Sequence, residues 1–359
     1  MKKKLLSLML AGVMSIGLIS ETQAMSRDEI SMVKVSKAGK FNYWNSDSQA
    51  KEKLVSYIKD ITNKKSSNFI PIEDRIAVFD LDGTLVCETA PCYFEWMMYL
   101  DRALYDSSYT PSKEDREIAT LVESEIRAGH FASNQFPKSL DNQEAISQES
   151  VFAGMSVEDY DSYVNRFLQK NVEGLTNLKW GEAFYLPMVE VIRYLQANDF
   201  KVYIVSGSER SALRVLASNV LKIPVNQIIG TDAAILASHQ GDKDGGDYVY
   251  QSNDSLIRGK LLTKNLKMNK VSIIAQEIGN QPVLAFGNSG GDASMLNYAI
   301  SNNKYKSASF MILCDDVDRE FGSLIKAENC KNLAESNGWI AVSMRDEFKT
   351  IYGDDVTRE

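Results

Sequence analysis

The chain has 359 residues, enough for one large domain or two smaller ones. Its composition, 44% hydrophobic and 25% charged, is typical of a folded globular protein and argues against wholesale disorder. The formal net charge of −8 makes the chain unsuited to non-specific nucleic-acid binding, which depends on a basic surface.

The N-terminal residues have the layout of a secretory signal peptide. Three lysines precede an apolar run over residues 5–19, and Thr22 and Ala24 fit a small-residue cleavage site. The alternative is an uncleaved membrane anchor, but the apolar run is short for a spanning helix. We therefore predict that residues 1–24 are cleaved and that the mature protein is periplasmic or secreted, with no membrane segment. Cleavage removes three lysines and one glutamate, which makes the mature chain more acidic still.

Four cysteines, Cys87, Cys92, Cys314 and Cys330, would reach an oxidising compartment after export. Two disulfides are then possible, and the sequence permits three pairings. Pairing of neighbours, Cys87 with Cys92 and Cys314 with Cys330, is the simplest. Free buried thiols are the alternative.

The first half of the chain is mainly helical by pattern. Apolar residues at helical spacing over 48–65 predict a helix on the outside of the core, and residues 75–80 form an apolar strand. A long polar segment then follows, roughly from residue 87 to 180. Its clearest helices lie at 113–129 and 156–172.

The second half alternates between helices and strands. Helices are predicted at 187–198, 209–219 and 271–279, and strands at 201–208, within 223–234, within 281–292 and at 308–316. Residues 239–258 are polar and read as a hairpin or loop. This alternation predicts a parallel α/β sheet, which binds ligands at the carboxyl ends of its strands.

Three apolar strands end in small or polar residues, in the sequences "AVFDLDGT", "YIVSGS" and "LAFGNSGGD". Residues two apart on a strand face the same way, so Asp80 and Asp82 can converge on one point. A calcium loop is excluded, because counting from Asp80 places glycine at position four and proline at position twelve. A plain turn or helix cap remains the alternative to a reactive centre.

Taken together, the three strand ends resemble the haloacid dehalogenase superfamily. "FDLDGT" matches its first motif, Ser206 of "YIVSGS" its second, and "GNSGGD" from Gly287 to Asp292 its fourth. The resemblance implies a Rossmann-like parallel-sheet core with a helical cap inserted after the first motif. It divides the chain into an N-terminal helical extension (25–69), a core (70–90 and 181–359) and a cap (91–180).

Within that superfamily the chain is similar to exported phosphatases related to phosphoserine and phosphorylcholine phosphatases. The resemblance implies a Mg²⁺-dependent phosphomonoesterase. Asp80 would be the nucleophile that becomes an aspartyl phosphate, and Asp82 the acid and base. The substrate would be a small phosphorylated molecule whose identity, like the oligomeric state, the sequence leaves open.

The remaining site residues follow from the same resemblance. Thr84, Ser206, Gly207 and a motif lysine would bind the phosphate, with the N–H groups around Gly207 at the start of the next helix. The lysine is Lys270, at the start of a predicted helix, or its competitor Lys260. The metal ligands would be Asp80, the Asp82 carbonyl, Asn288 and Asp292, with Asp292 acting directly or through water. Asn288 departs from the commoner aspartate and puts the metal affinity in doubt.

Several nearby residues have two interpretations. Glu88 could contact the substrate or the cap, or be a solvated or helix-capping residue. Tyr93, Phe94 and Trp96 could wall the pocket, even against a quaternary ammonium group, although core packing is the commoner role of aromatic residues. With His130 and His239 as the only histidines, a histidine phosphatase or multi-histidine zinc site is disfavoured. A catalytically silent protein that binds a phosphorylated ligand or a partner is the alternative function.

Overall fold

The computed structural model describes residues 24–131, 133 and 135–359. The predicted signal peptide therefore lies almost wholly outside the described residues, and its cleavage stays a prediction. Among the described residues, no helix combines the length and apolar character needed to cross a membrane.

In the part of the chain that the structure describes, seven strands form one sheet in the spatial order β4-β3-β2-β1-β5-β6-β7. The strands are β1 (Ile76–Phe79), β2 (Lys201–Glu209), β3 (Ile228–Ala237), β4 (Leu256–Thr263), β5 (Leu284–Gly287), β6 (Ala308–Leu313) and β7 (Ile340–Ser343). All neighbours are parallel except β3 and β4, which are antiparallel. The prediction of an α/β protein with a parallel sheet is confirmed, with one antiparallel edge strand added. No α-helix crosses over between β3 and β4, and the polar residues between them return the chain in the opposite direction.

Twelve α-helices accompany the sheet in the described part of the chain. They are α1 (Arg27–Met32), α2 (Gln49–Thr62), α3 (Phe94–Leu100), α4 (Lys113–Arg127), α5 (Lys138–Phe152), α6 (Val157–Phe167), α7 (Leu186–Ala197), α8 (Arg210–Leu221), α9 (Met268–Ile273), α10 (Ala293–Ile300), α11 (Leu324–Asn337) and α12 (Met344–Glu347). Single π-helical segments continue α3 over Asp101–Tyr105 and α9 over Ile274–Ile278.

Strand β1 lies at the centre of the sheet because all four of its residues are apolar and buried. Phe79, its last residue, is level with Ile204 of β2 and Phe286 of β5. The Phe286 ring stacks on Phe79 at 4.2 Å and on Phe310 of β6 at 4.8 Å between centroids. This row of rings supports the edge of the sheet at which β1 and β5 end.

Helix α2 matches the amphipathic helix predicted outside the core. Its Leu54, Ile58 and Ile61 are buried against the rest of the protein. The Tyr57 hydroxyl donates to the carbonyl of Lys306 at 2.8 Å and lies 3.2 Å from the carbonyl oxygen of Val283. The helix is thus attached to the sheet by packing and by hydrogen bonds.

Helices α3 to α6 form a helical insertion between β1 and α7, the helix that precedes β2. Apolar side chains of this segment and of the sheet belong to one continuous buried cluster. A buried arginine also joins the two parts: Arg258 of β4 pairs with Glu149 of α5 (2.6 Å) and Glu209 at the end of β2 (3.0 Å). Its guanidinium lies 3.7 Å from the ring centre of Tyr160 in α6. The domain boundaries themselves stay a prediction.

All four cysteines carry free, buried thiols. The neighbour pairing considered from the sequence is therefore not present. Cys87 faces Glu320, whereas Cys92 faces the carbonyl of Tyr93, so these two thiols are turned toward different groups. Cys330 donates to the carbonyl of Asn288, at 3.3 Å.

Replacing Phe286 with alanine removes the middle ring of the stacked row. We expect the free energy of unfolding to fall by about 3–5 kcal/mol, because a buried aromatic side chain is lost and a cavity remains. Urea denaturation measures the change. Leu262→Ala is the control, since that side chain is 65% exposed and its loss should cost less than about 0.5 kcal/mol. Equal losses in the two variants would contradict the assignment.

Candidate active site

The carboxyl ends of β1, β2 and β5 meet at one cavity of about 100 Å³. Seven of the predicted site residues line it together. They are Asp80, Asp82, Ser206, Gly207, Lys270, Asn288 and Asp292. The parallel register produces this meeting, because it brings the last residues of neighbouring strands to the same edge of the sheet.

Lys270 joins two of the carboxylates. Its Nζ lies 2.6 Å from Oδ1 of Asp80 and 2.6 Å from Oδ1 of Asp292, and all three side chains are buried. Burial raises the pKa of Asp80 to about 7; the charge of Asp292 raises it too, while Lys270 acts in the opposite direction. Burial alone would lower the pKa of Lys270, but the two carboxylates outweigh it and that pKa is raised.

The alternative motif lysine, Lys260, lies elsewhere. It is an exposed residue of β4 and does not line the cavity, whereas Lys270 sits in the first turn of α9. Of the two lysines, only Lys270 contacts Asp80.

Asp82 is held by a residue that the sequence analysis did not assign. The Ser208 hydroxyl donates to Oδ2 of Asp82 at 2.7 Å, while Oδ1 is buried with no protein partner among the described residues. Burial, followed by the charge of Asp80, raises the pKa of Asp82 well above its usual value. A carboxyl group in this environment favours its protonated form and can donate a proton.

Gly83 permits the turn between the two strand-end carboxylates and the segment that follows. Its φ is +73°, a conformation that residues with a Cβ rarely adopt. A Cβ here would lie 2.0 Å from Nδ2 of Asn288 and 2.3 Å from Cδ of Glu88. The first and fourth motifs therefore approach each other at this glycine.

Thr84 differs from its predicted role. It is fully buried, does not line the cavity, and its hydroxyl lies 3.5 Å from Oδ1 of Asn288. The turn at Gly83 directs this side chain toward the fourth motif, so its hydroxyl lies beside Asn288 and outside the cavity lining.

Ser206 and Gly207 line the cavity, but the backbone around them corrects one expectation. Helix α8 begins at Arg210, and β2 continues as far as Glu209, so Gly207 is not at a helix N-terminus. The Ser208 N–H donates to the Ser206 hydroxyl (3.1 Å), and the Glu209 N–H donates to Glu95 (2.9 Å). These two N–H groups are therefore engaged within the protein.

The fourth-motif loop is organised by Asp292. Its Oδ2 accepts hydrogen bonds from the N–H groups of Asn288 and Ser289, each at 3.1 Å. Gly287 is required beside it, since a Cβ there would lie 2.6 Å from Cβ of Asp292. Asp292 therefore holds both the loop and Lys270.

The structure also places the four nearby side chains for which the sequence left two interpretations. Glu88 is 1% exposed and pairs with Lys326 of α11 (Oε1 to Nζ, 2.5 Å), so of the alternatives considered for it the solvated glutamate is excluded. Phe94 is in the core, while Tyr93 and Trp96 line the cavity.

Sequence reasoning missed Ser208, Glu95 and the pair Asp141–Lys264, all of which line the cavity. Ser208 could have been predicted, because it lies two residues after Ser206 on the same strand and therefore faces the same side. Glu95 had a weaker signal, a single carboxylate in the apolar sequence "FEWMMYL".

The cavity lining is suited to a cation that accompanies an anionic substrate. Five carboxylates line it, from Asp80, Asp82, Glu95, Asp141 and Asp292, against the two lysines Lys264 and Lys270. Asp82 Oδ1 and the Asn288 side-chain nitrogen are buried without protein partners among the described residues. Rotation of the Asn288 side-chain amide would exchange its nitrogen with its oxygen. No group of three or more His, Cys, Asp or Glu side chains arranged to hold a metal occurs in the described residues. A cation that prefers oxygen ligands and keeps bound waters, as Mg²⁺ does, would fit the carboxylates and the Asn288 amide of this cavity.

The Gly83→Ala variant tests the close approach at the first motif. Gly129 is a matched control, because its φ is +76° and a Cβ there would meet nothing within 4 Å. We expect Gly129→Ala to cost about 1–2 kcal/mol of unfolding free energy, from its positive φ alone. Gly83→Ala should cost clearly more, because its Cβ overlaps Asn288 and Glu88. Equal costs in urea denaturation would show that the loop can relax without displacing these side chains.

Comparisons with known proteins were consistent with this geometry. Residues 77–297 match the family model of the haloacid dehalogenase-like hydrolases. No curated protein is significantly similar in sequence.

The chain also aligns with solved structures at low sequence identity. A conserved protein of unknown function from Anaerococcus prevotii is 15% identical with a TM-score of 0.52, and the match covers 86% of this chain and 94% of that one. A cytosolic 5'-nucleotidase IIIB bound to cytidine is 12% identical (TM-score 0.47, 82% and 86% covered). A phosphoserine phosphohydrolase-like protein from Francisella tularensis is 15% identical (TM-score 0.41, 75% and 94% covered). Since the family model spans more than half of the chain, the chain belongs to the haloacid dehalogenase-like hydrolase family.

Proposed function

We propose that this hydrolase is an exported, Mg²⁺-dependent phosphomonoesterase that acts on a small phosphorylated metabolite through an aspartyl-phosphate intermediate. The observation that carries the proposal is the placement of Asp80 and Asp82 in one cavity, with Lys270 bound to Asp80. A nucleophile, a proton donor and a cation thus surround one small space, as phosphoryl transfer requires. Export rests on the N-terminal sequence alone.

Asp80 is the proposed nucleophile. Lys270 favours its ionised form and holds Oδ1, which leaves Oδ2 to attack phosphorus. The bond from phosphorus to the leaving oxygen breaks as the Oδ2–phosphorus bond forms. Ser206 and Gly207, at the end of β2, line the position of the other phosphate oxygens.

Asp82 is the proposed acid and base. Protonated, it gives its proton to the leaving oxygen and becomes a carboxylate. That carboxylate then takes a proton from the water that attacks phosphorus, and this second step releases phosphate and restores Asp80. The Ser208 hydroxyl orients the Asp82 side chain during both steps.

The residues that would hold Mg²⁺ are Asp80, the carbonyl of Asp82 and the Asn288 amide oxygen. The ion would neutralise charge on the phosphoryl group. We propose that Asp292 acts through a bound water, since both of its oxygens already accept protein hydrogen bonds. The neutral Asn288 in place of a carboxylate would weaken the metal site without changing the chemistry.

The function is tested by hydrolysis of p-nitrophenyl phosphate with Mg²⁺, with EDTA, and by Asp80→Asn. We expect Mg²⁺-dependent turnover, and a loss of at least about a thousandfold in Asp80→Asn, because the amide keeps the shape but is not a nucleophile. Circular dichroism should show that the variant is folded. Absence of turnover with this substrate and with a set of natural phosphomonoesters would favour the silent binding protein instead.

Ser208→Ala tests how Asp82 is positioned. An alkyl phosphate such as glycerol 2-phosphate needs a proton on its leaving oxygen, whereas p-nitrophenol leaves without one. We expect kcat for the alkyl phosphate to fall by about tenfold, which corresponds to the loss of one hydrogen bond to a charged or ionising group. The kcat for p-nitrophenyl phosphate should fall much less. Ser336→Ala, which removes an exposed hydroxyl on α11, is the control. Equal losses for both substrates would contradict the role of Ser208.

A further inference from the structure

A second, larger chamber adjoins the phosphate cavity. Its volume is about 520 Å³, and it shares Tyr93, Trp96, Asp141 and Ser289 with the smaller cavity. A phosphomonoester whose phosphate lies beside Asp80 would therefore place its leaving group in this outer chamber. The inference below rests on the proposed function and concerns the chemistry of that leaving group.

One wall of the chamber is aromatic. Tyr93 and Trp96 come from the start of the helical insertion, and Phe131 and Phe136 from the segment between α4 and α5. The rings contact one another at 4.8 Å (Tyr93 to Phe131) and 4.9 Å (Trp96 to Phe136) between centroids. Such a wall suits either a flat ring or a quaternary ammonium group.

The charges around the chamber distinguish between these two candidate ligands. Its lining holds three lysines, Lys138, Lys267 and Lys326, and one carboxylate, Asp141. Asp141 is already paired with Lys264 at 2.9 Å, and Lys326 is paired with Glu88. Lys138 and Lys267 are exposed and have no ion-pair partner among the described residues. The uncompensated charge is therefore positive, which disfavours a cationic leaving group and favours an anionic one.

Lys267 is held at its position by the backbone. It adopts a φ of +54°, and its N–H donates to the carbonyl of Gly291 at 3.0 Å. Gly291 belongs to the fourth-motif loop, and Lys270 follows on the same short segment. The backbone of Lys267 thus connects the lining of the chamber to the reactive centre.

We propose that the outer chamber is a leaving-group subsite for a planar ring that carries a second negative charge. The ring packs on the aromatic wall, and Lys267 and Lys138 bind the second charge, which is a carboxylate or a phosphate. The substrate class is the phosphomonoester of an anionic aromatic alcohol.

Three ring substrates test this assignment in the presence of Mg²⁺: phenyl phosphate, 4-carboxyphenyl phosphate and 1,4-phenylene bisphosphate. Phenol and 4-carboxyphenol have similar acidity, so the first two differ mainly in charge. We expect kcat/KM for 4-carboxyphenyl phosphate to exceed that for phenyl phosphate by about tenfold, from charge pairing near the surface. The bisphosphate shows whether a second phosphate serves better than a carboxylate. Preference for phosphorylcholine over phenyl phosphate would overturn the proposal.

The double variant Lys138→Gln/Lys267→Gln tests whether these two lysines bind the second negative charge. The ratio of kcat/KM between 4-carboxyphenyl and phenyl phosphate should fall from about ten to about one. Lys64→Gln, an exposed lysine outside the chamber, is the matched control and should keep the ratio of the unmodified protein. An unchanged ratio in the double variant would contradict the subsite.

A binding measurement separates failure of this inference from failure of the proposed function. Benzylphosphonate and 4-carboxybenzylphosphonate carry no hydrolysable ester, and calorimetry with the unmodified protein and Mg²⁺ compares them. Tighter binding of the carboxylated compound supports the subsite even if no phosphomonoester is hydrolysed. Equal binding, or no binding by either compound, overturns it, and hydrolysis of phenyl phosphate would then still support the phosphatase.

Discussion

The contact of Lys270 with Asp80 and Asp292 is the interaction on which the rest of the site depends. Two carboxylates and an ammonium group, all buried, are costly to remove from water unless each is paired. The pairing is possible only if β1, β5 and α9 keep their relative positions, because each element supplies one of the groups or the loop that holds it. The same contact sets the charge of the proposed nucleophile. Stability and reactivity therefore depend on the same three side chains.

Close packing of the backbone supports this contact. Gly83 and Gly287 each lie where a Cβ would overlap a site residue, so the first and fourth motifs approach more closely than larger residues would allow. The stacked rings of Phe79, Phe286 and Phe310 lie directly behind these turns. A rigid apolar layer beneath a tightly turned polar edge explains how several buried carboxylates can share one small cavity.

The helical insertion contributes a different environment. Arg258 pairs with Glu149 and Glu209 and so attaches the insertion to the ends of β2 and β4. Burial raises the pKa of Glu149 to about 8, whereas the charge of Arg258 acts to lower it. Both effects depend on the contact between the insertion and the sheet. The attached insertion brings Glu95, Tyr93 and Trp96 to the mouth of the cavity. The core thus supplies the groups proposed for phosphoryl transfer, and the insertion supplies the aromatic wall of the outer chamber.

The sequence by itself determined the sheet class, most elements and the main chemical groups. Apolar strands that end in "DLDGT", "SGS" and "GNSGGD" predict where polar groups collect, because parallel strands end at a common edge. Tertiary structure decided what depends on distant contacts: Lys270 rather than Lys260 at Asp80, Thr84 turned toward Asn288, Glu88 paired with Lys326, and four free thiols. It also revealed Ser208, Glu95 and the lysines of the outer chamber. The local sequence pattern predicts which face of a helix or strand is buried. Which distant side chain a residue contacts is decided only when the helices and strands pack together.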